Sequence, residues 1–314
     1  MNGIKIRGTG RALPAQVLTN EDLSRRVDTS DEWIAGRTGI RERRIAGTES
    51  HSGLCAAAAR TALDRAGLTP DQVGVCLVAT MTADTLIPSA ACMVQRALGL
   101  PYDTVCLDIN AACTGFLYAL HTAECLLAAA PRRFGLVIGC DLFSRVIDWT
   151  DRSTCILFGD GAGAAAVEHR AEWPSIGAVL GCAGNDTYLR CPGPGQPDTY
   201  LTMEGQKVFK FALEAVPWCI DRVLERHGIT AEDVDFFVFH QANARIIDLA
   251  AKKYHIPPEK YRTNIRRYGN TSAASIPILL SELAEEGKLP AGTRMLLVGF
   301  GGGLTWGGAL VGTC

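Results

Sequence analysis

Apolar runs of strand length alternate with helix-length segments along most of the chain. An apolar run at 105–109 is followed by a helical segment from about Cys113, which Pro131 ends, and then by a second apolar run at 136–139. Such alternation is typical of α/β units built around buried, largely parallel sheets. The pattern therefore predicts an α/β protein.

The chain also repeats itself. Four segments of its first part have counterparts, in the same order, in its second part. The pairs are 67–78 with 228–239, 111–113 with 273–275, 133–137 with 294–298, and 157–163 with 304–309. We expect two pseudo-symmetric α/β halves, 1–172 and 173–314, because a charged stretch ending in Trp173 and Pro174 separates them. A loop-rich region is expected at 191–198, where prolines and glycines alternate.

The composition narrows the classes of function. Of 314 residues, 47% are hydrophobic and 20% are charged, which suits a protein with a sizeable core. A formal net charge of −2 argues against a general binder of nucleic acids or membrane surfaces. The N-terminus lacks a signal-peptide core, and apolar stretches such as 123–130 are much shorter than the ~20 residues that span a bilayer. A cytoplasmic protein is expected.

Twelve cysteines raise the question of disulfides or of a metal site. The chain has no Cys-x-x-Cys pair, and most cysteines lie in apolar runs, as Cys76, Cys106 and Cys125 do. Free cysteine in such a run behaves as a small buried hydrophobe. Reduced thiols and no metal site are therefore expected, with one cysteine open to a chemical role.

Cys113 is the candidate for that role. It follows a buried strand and precedes an almost wholly apolar helical segment. A thiol at a helix N-terminus faces unpaired backbone amides and the positive end of the helix dipole, which lowers its pKa and favours the nucleophilic thiolate. Taken alone, the same position also suits a buried structural cysteine.

His240 and Asn270 are the second-half candidates. His240 ends the apolar run 236–239, and open α/β sheets place ligands at the carboxyl ends of their strands. Asn270 lies in a turn before a helix start. Each could instead be a core or capping residue. The repeat links them to Cys113, because pseudo-symmetry would bring 111–113 and 269–275 to one site. The glycines of 300–304 add backbone amides suited to an oxyanion hole.

An ordered set of motifs carries a family resemblance over almost the whole chain. Besides Asn20, it comprises DTSDEWI at 28–34, RTGIRER at 37–43, PSAAC at 88–92, AACTGF at 111–116, FGDGAGA at 158–164, HQAN at 240–243, GNTSAAS at 269–275 and FGGGLTWG at 300–307. The set resembles the β-ketoacyl-acyl-carrier-protein synthase III family, condensing enzymes of the thiolase superfamily. The resemblance implies a thiolase-like fold with a five-layered α-β-α-β-α core.

The resemblance implies a decarboxylative condensation that starts type II fatty acid synthesis. Cys113 would take an acyl group from a short acyl-CoA, acetyl-CoA in the commonest case. Malonyl-acyl carrier protein would then lose CO2, and the resulting carbanion would attack the acyl-enzyme. By the same resemblance, His240 and Asn270 stabilise the enolate, and the backbone amides of Cys113 and Gly302 hold the acyl oxyanion. No cofactor is implied, because acyl-CoA is a substrate.

The family's substrate contacts can be carried over in the same way. Trp33 and Arg152 would sandwich the adenine of CoA, Arg37 would assist at the nucleotide, and Gly205 and Asn243 would line the pantetheine tunnel. Arginine and tryptophan both offer planar faces for stacking. For Arg37, an exposed charge in a basic stretch is the alternative reading.

A local excess of positive charge suggests a site for the acidic carrier protein. Between Arg245 and Arg267 there are seven basic residues and two acidic ones, on a chain of net charge −2. A solvated helix face would have the same pattern. The residues expected to contact the carrier protein are Lys210, Gln241, Ala242, Asn243, Ala244, Arg245, Lys252 and Lys253.

The primer pocket is expected to be lined by Phe143, Phe158 and Ile87. In the family the residue at position 87 of this chain reaches the pocket across a dimer interface, so a homodimer is implied. Phenylalanine is common there in members that take short straight primers. Ile87 therefore leaves longer or branched primers open beside acetyl-CoA.

Three other functions compete with this interpretation. A condensing enzyme that primes polyketide or other secondary-metabolite synthesis would have the same three residues. A nucleotide-dependent oxidoreductase is suggested by the glycines of 159–163, but the acidic residue expected ~20 positions later to hold a ribose is missing. A non-catalytic thiolase-fold subunit should lack the nucleophile, and Cys113 is present.

Overall fold

The computed structural model describes residues 2–193 and 196–314. Met1, at the start of the predicted first half, and Pro194 and Gly195, within the predicted loop 191–198, lie outside the described residues. The strands are β1 Gly3–Ala12, β2 Gln16–Thr19, β3 Glu42–Ile45, β4 Val73–Ala79, β5 Val105–Ile109, β6 Phe134–Asp141, β7 Gly161–Arg170, β8 Val179–Asn185, β9 Leu189–Arg190, β10 Thr202–Met203, β11 Phe236–Phe239, β12 Arg294–Gly301 and β13 Gly303–Thr313.

Ten α-helices connect these strands in the described part of the chain. They are α1 Asn20–Ser24, α2 Asp31–Thr38, α3 His51–Ala66, α4 Ala90–Leu98, α5 Gly115–Leu127, α6 Arg152–Cys155, α7 Gly205–His227, α8 Ala244–Lys253, α9 Ile265–Tyr268 and α10 Ser275–Glu285. No helix among the described residues has both the length and the apolar character needed to cross a membrane.

The large sheet has the strand order β11-β12-β13-β1-β7-β6-β4-β5, and β8 pairs with β13. Its first-half part (β1, β7, β6, β4, β5) meets its second-half part through only two parallel residue pairs between β1 and β13. The chain passes from β7 of the first part to β8 of the second between Arg170 and Val179. The predicted boundary at 172/173 falls in this connection, and the division of the chain into the halves 1–172 and 173–314 remains a prediction.

Five layers result from the packing, as expected. The central layer is α5 and α10, whose Phe116 and Ile276 share one core cluster with Val137 of one half and Leu297 of the other. Helices α3 and α4 cover the outer face of the first-half sheet, and α7 and α8 cover that of the second. Each of these four outer helices buries one apolar face against a sheet, and each of the two central helices is covered by sheet on both sides.

The prediction of largely parallel sheets was wrong. Strand β4 is parallel to β5 and β6, and β11 is parallel to β12. However, β7 runs antiparallel to β1 and β6, and β13 runs antiparallel to β12 and β8. Only Gly302 separates β12 from β13. So short a link makes a hairpin, because a parallel neighbour would need a long crossover.

The repeat is visible in local geometry. Gly67 and Gly228 end α3 and α7 in the left-handed region, at φ values of 65° and 62°. Thr69 and Thr230 then form capping boxes on short 3₁₀ turns that lead into β4 and β11. Matching helix caps, turns and strands confirm the predicted pairing of 67–78 with 228–239.

The pairing of 111–113 with 273–275 was wrong by two residues. The 3₁₀ turns that precede α5 and α10 begin at Ala112 and Ser272, and these residues have left-handed φ values of 46° and 51°. Cys113 therefore corresponds to Ala273, not to Ser275. Two similar alanine-rich strings misled the sequence comparison, because neither left-handed position is marked by a glycine.

Candidate active site

Cys113 lies on the 3₁₀ turn Ala112–Thr114, between the end of β5 and the start of α5, and is only 5% exposed. Gly301, at the end of β12, packs directly against it. A β-carbon at Gly301 would lie 2.8 Å from the Cys113 nitrogen and 2.9 Å from its Cβ. The close approach of two backbones explains why glycine is needed here, and it seats the thiol between the two halves.

Burial raises the pKa of the Cys113 thiol to about 12, while the nearby Ser272 hydroxyl acts in the opposite direction. The expected lowering of this pKa by the helix N-terminus is thus not what the site produces. Desolvation of the thiolate is the largest cause of the shift and favours the neutral thiol in the resting protein.

His240 follows the last residue of β11, and its backbone N–H donates to Val298 O at 2.8 Å. Its ring packs edge-on against Phe300, with centroids 5.5 Å apart. Its Nδ1 lies 2.6 Å from Ser275 Oγ, which also accepts the Gln241 backbone N–H at 3.3 Å. Burial lowers the pKa of His240 to about 3, so the imidazole is neutral.

The Ser275 contacts favour one tautomer of this neutral ring. Ser275 Oγ accepts the Gln241 N–H, and we assign its own proton to His240 Nδ1, the acceptor for it among the described hydrogen bonds. Nδ1 is then unprotonated, and Nε2–H becomes a donor on the opposite side of the ring. Ser275 was not among the predicted site residues, although it belongs to the motif 269–275 that contains Asn270.

Asn270 is held by backbone and side-chain contacts. Its N–H donates to Leu157 O at 2.8 Å, and its carbonyl accepts the Gly159 N–H at 3.0 Å. Its Oδ1 accepts the Ser272 N–H at 2.9 Å, which leaves the Nδ2 amide free to donate into the cavity. Asn110 occupies the corresponding place in the first half, and its Oδ1 likewise accepts a backbone N–H two residues on, at 3.3 Å.

One cavity of about 570 Å³ brings Cys113, His240 and Asn270 together. It therefore joins one candidate from the first half to two from the second. Its wall also contains several residues predicted for substrate binding, namely Trp33, Arg37, Gly205, Ala242, Asn243 and Arg245. A thiol and two neutral hydrogen-bond donors at the end of one cavity suit acyl transfer with stabilisation of an oxyanion.

Comparison with known proteins gives this site a family. Residues 107–184 match the family model for 3-oxoacyl-[acyl-carrier-protein (ACP)] synthase III, and residues 224–313 match the model for its C-terminal part. A β-ketoacyl-[acyl-carrier-protein] synthase III from Clostridium acetobutylicum is 43% identical, and one from Rhizobium meliloti is 46% identical, each over 98% of both chains. The chain belongs to the 3-oxoacyl-[acyl-carrier-protein] synthase III family.

Solved structures agree with this assignment to the synthase III family. The 3-oxoacyl-[acyl-carrier-protein] synthase III of Aquifex aeolicus superposes with a TM-score of 0.92 at 45% identity, covering 98% of this chain and 99% of that one. The priming β-ketosynthase of the R1128 polyketide pathway has the same TM-score at 34% identity, covering 99% and 97%. OleA of Xanthomonas campestris, at 23% identity and a TM-score of 0.85, shares the fold.

Three of the predicted CoA residues, Trp33, Arg37 and Arg152, lie together near the cavity, and both arginines pack over the tryptophan ring. The guanidinium carbons of Arg152 and Arg37 lie 4.9 Å and 5.3 Å from the centroid of the Trp33 ring. Arg152 is held there by a 2.7 Å hydrogen bond to Asp28 O. Its guanidinium lies over the Trp33 ring, and the adenine sandwich between the two side chains remains a prediction.

Some of the residues predicted to contact the carrier protein are exposed, and others are not. Lys210, Arg245, Lys252 and Lys253 are exposed, and the last three lie on α8. Asn243 caps this helix, since its Oδ1 accepts the Arg245 N–H at 3.0 Å.

Gln241 is a correction to the predicted carrier-protein contacts. It is 1% exposed, and both ends of its side-chain amide are paired, with Phe239 O at 2.9 Å and the Asn264 N–H at 3.0 Å. Such a residue braces the turn after β11 and has no surface to offer a partner. The cationic segment is also narrower than its sequence suggested: Lys260 binds two backbone carbonyls, and Arg262 and Arg267 pair with glutamates.

A second cavity of about 280 Å³ adjoins Cys113 on the side away from the CoA residues. The rings of Phe143 and Phe158 stack in its wall with centroids 4.5 Å apart, and Gly302 borders it as well. Ile87 is 88% exposed and does not reach it within one chain. Its predicted place in the pocket therefore requires a second copy of the chain and remains a prediction.

Proposed function

We propose that this chain condenses a short acyl-CoA with malonyl-acyl carrier protein to give a 3-oxoacyl-acyl carrier protein and CO2, the step that initiates type II fatty acid synthesis. Membership of the synthase III family supports the reaction. The observation that carries the assignment of residues is the cavity shared by Cys113, His240 and Asn270.

In the first stage, the Cys113 sulfur attacks the acyl-CoA carbonyl carbon. A new carbon–sulfur bond forms, the bond to CoA breaks, and the thiol proton ends on the departing CoA sulfur. Because burial raises the pKa of Cys113 to about 12, the proton is lost during the attack and not beforehand. The backbone amides of Cys113 and Gly302 are proposed to hold the oxyanion, a contribution typically worth about 10²–10³ in rate.

In the second stage, the malonyl thioester loses CO2 and its carbonyl oxygen gains the charge of an enolate. His240 Nε2–H and Asn270 Nδ2–H are proposed to donate to that oxygen. Since the pKa of His240 is lowered to about 3, the ring donates as a neutral group and does not transfer its proton. The enolate carbon then attacks the acyl-Cys113 carbonyl, and the Cys113 sulfur leaves as a thiolate that takes a proton from water. Decarboxylation itself supplies the carbanion, so this scheme uses no cofactor.

The proposed partners follow from the charged and aromatic side chains at the mouth. Trp33, Arg37 and Arg152 offer a stacking face and positive charge to the nucleotide of acyl-CoA. Arg245, Lys252 and Lys253, for which the described residues provide no carboxylate within salt-bridge distance, offer an exposed cationic face to an acidic carrier protein. A cytoplasmic location belongs to the same proposal, because all twelve cysteines are free.

A homodimer is proposed from the edge of the sheet. Strand β5 is the last strand of the order, and Val105, Leu86 and Ile87 near it are large apolar residues left 42%, 80% and 88% exposed. An exposed edge strand with apolar neighbours favours pairing with another chain. A second copy at this edge would be in position to place its Ile87 in the primer cavity beside Phe143 and Phe158.

The primer is proposed to be acetyl-CoA, with short branched acyl groups as the next candidates. Comparing initial rates of 3-oxoacyl-acyl carrier protein formation with acetyl-, isobutyryl- and octanoyl-CoA tests this directly. We expect the order acetyl, isobutyryl, octanoyl; a clear preference for octanoyl-CoA would overturn the choice of primer. Failure of all three with malonyl-acyl carrier protein would overturn the proposed function itself.

A further inference from the structure

His51, Cys55 and Cys140 form a compact cluster between α3 and the first-half sheet, outside the cavity described above. His51 and Cys55 are one turn apart on α3, and Cys140 comes from β6. All three are fully buried, and one ligand atom from each, a ring nitrogen and two sulfurs, lies within 4.8 Å of the other two. The absence of a Cys-x-x-Cys pair had argued against a metal site, but sequence spacing cannot show a ligand delivered by a distant strand.

One separation is that expected for two ligands of a single metal ion, and all three ligand atoms lie within 4.8 Å of one another. His51 Nδ1 lies 3.7 Å from Cys55 Sγ. In a trigonal or tetrahedral centre with a metal–sulfur distance of about 2.3 Å and a metal–nitrogen distance of about 2.0–2.1 Å, the two ligand atoms lie roughly 3.5–3.8 Å apart. The three side chains could therefore bind one ion with only small movements.

The second ring nitrogen of His51, Nε2, has the hydrogen-bond partners that are typical of metal-binding histidines. His51 Nε2 lies 3.0 Å from Cys140 O and 2.8 Å from Thr80 Oγ. When the ring is neutral and Nε2–H donates to these oxygens, the lone pair of Nδ1 faces Cys55 Sγ. Such a hydrogen bond from the second nitrogen is what fixes the ring and tautomer of a metal-ligating histidine.

We propose that His51, Cys55 and Cys140 form a structural site for a thiophilic divalent cation of the Zn²⁺ class. Both thiols would lose their protons on binding, so two thiolates and a neutral imidazole would surround the ion with no net charge. Neutrality matters because the cluster lies in the apolar core, among residues such as Val78 and Ile138. Nitrogen and sulfur ligands select this class over Mg²⁺ or Ca²⁺, which prefer oxygen.

The ion would enter during folding or through opening of the first turn of α3. That turn is closed by Asp84, which accepts the backbone N–H groups of His51 and Ser52 at 3.0 and 2.9 Å. Supplying metal while the chain is produced allows the ion to bind before this turn closes. The site lies apart from the proposed chemistry and its existence does not depend on the proposed function.

Metal content provides the first test. The full chain is produced with added Zn²⁺, passed over a mild chelator and analysed for zinc; about one ion per chain is expected. Cys55→Ser and Cys140→Ser should lose it, whereas Cys219→Ser, which changes an equally buried cysteine of the other half, should keep it. Zinc below about a tenth of an equivalent, or equal zinc in Cys55→Ser and the wild type, would overturn the proposal.

X-ray absorption on the zinc-loaded wild type does not depend on whether the variants fold. We expect about two sulfur ligands at ~2.3 Å and about one nitrogen at ~2.0–2.1 Å. A shell of oxygen and nitrogen only would contradict the site. Chelation at high temperature should lower the melting temperature of the wild type and of Cys219→Ser, and leave that of Cys55→Ser unchanged.

Discussion

At the scale of single residues, the site works through desolvation. Burial keeps Cys113 as a thiol and His240 as a neutral imidazole, so the first is suited to covalent capture and the second to hydrogen-bond donation. Of these residues, the sequence identified Cys113, His240 and Asn270, because each lies in a motif. It could not reveal the Ser275 contact or the sign of the thiol pKa shift, since both depend on which groups fold around the side chain.

Ser275→Ala tests the assignment of the tautomer. Without the hydroxyl, Nδ1 can carry the proton and Nε2 ceases to be a donor, so we expect condensation to fall by ~10-fold or more. Acyl transfer from acetyl-CoA to the enzyme should change little, because it does not use His240. Ser281→Ala, another buried serine of α10, is the matched control. Equal loss in both half-reactions would point to a general structural defect.

The depressed pKa of His240 predicts a contribution to the pH dependence of stability. Its pKa falls from 6.5 to about 3 on folding, so between these values only the unfolded chain binds a proton there. The contribution of His240 to the free energy of unfolding is then fully present above pH 6.5 and is lost as the pH falls toward 3. Urea unfolding from pH 7 to about 5 should show a shallower loss in His240→Asn than in the wild type. Identical slopes would mean that His240 is not held neutral.

At the scale of elements, two related turns build the site. The 3₁₀ turns before α5 and α10 present Cys113 from the first half and support Asn270 from the second. The alternation and the repeat predicted the strands and helices well. The antiparallel course of β13 and the true register of the turns were not predictable from apolar patterns, because they depend on one short hairpin and on two left-handed residues without glycine.

Gly301→Ala tests the close packing of β12 against the nucleophile. The added Cβ would lie 2.8 Å from the Cys113 nitrogen, a backbone atom that cannot move away without displacing the chain around the nucleophile. We expect a loss of about 1–3 kcal/mol in the free energy of unfolding, with a loss of activity. In Gly36→Ala nothing lies within 4 Å of the new Cβ, so stability should hold or rise by about 0.5–1 kcal/mol. Unfolding in urea measures both; a stable, active Gly301→Ala would contradict the packing.

At the scale of the whole molecule, a chain with a net charge of −2 concentrates positive charge on α8, next to the cavity mouth. Among the described residues, no carboxylate lies within salt-bridge distance of Arg245, Lys252 or Lys253. Sequence reasoning found this segment but overestimated its width, because it could not show that Lys260, Arg262 and Arg267 are paired within the fold. The convergence of both halves on one cavity was predicted from the repeat, and the cavity confirms that Cys113, His240 and Asn270 meet.

Lys252→Glu tests the role of α8 in carrier-protein binding. Reversing this exposed charge should raise the KM for malonyl-acyl carrier protein by ~5-fold at low salt, and less at high salt, while the KM for acetyl-CoA stays the same. Arg60→Glu reverses a charge at an exposed position of α3, in the other half of the chain, and should have little effect on either KM. A rise in the KM for acetyl-CoA, or an equal effect of Arg60→Glu, would refute a docking role.

Trapping the acyl-enzyme tests the role of Cys113 as the nucleophile more directly than any rate measurement. The protein is incubated with acetyl-CoA alone, quenched in acid and analysed by intact mass and peptide mapping. We expect one acetyl group per chain, on the Cys113 peptide, that is absent in Cys113→Ala, retained in Cys219→Ala and discharged on addition of malonyl-acyl carrier protein. An acetyl group that persists in Cys113→Ala, or a wild type that takes up none, would contradict that role.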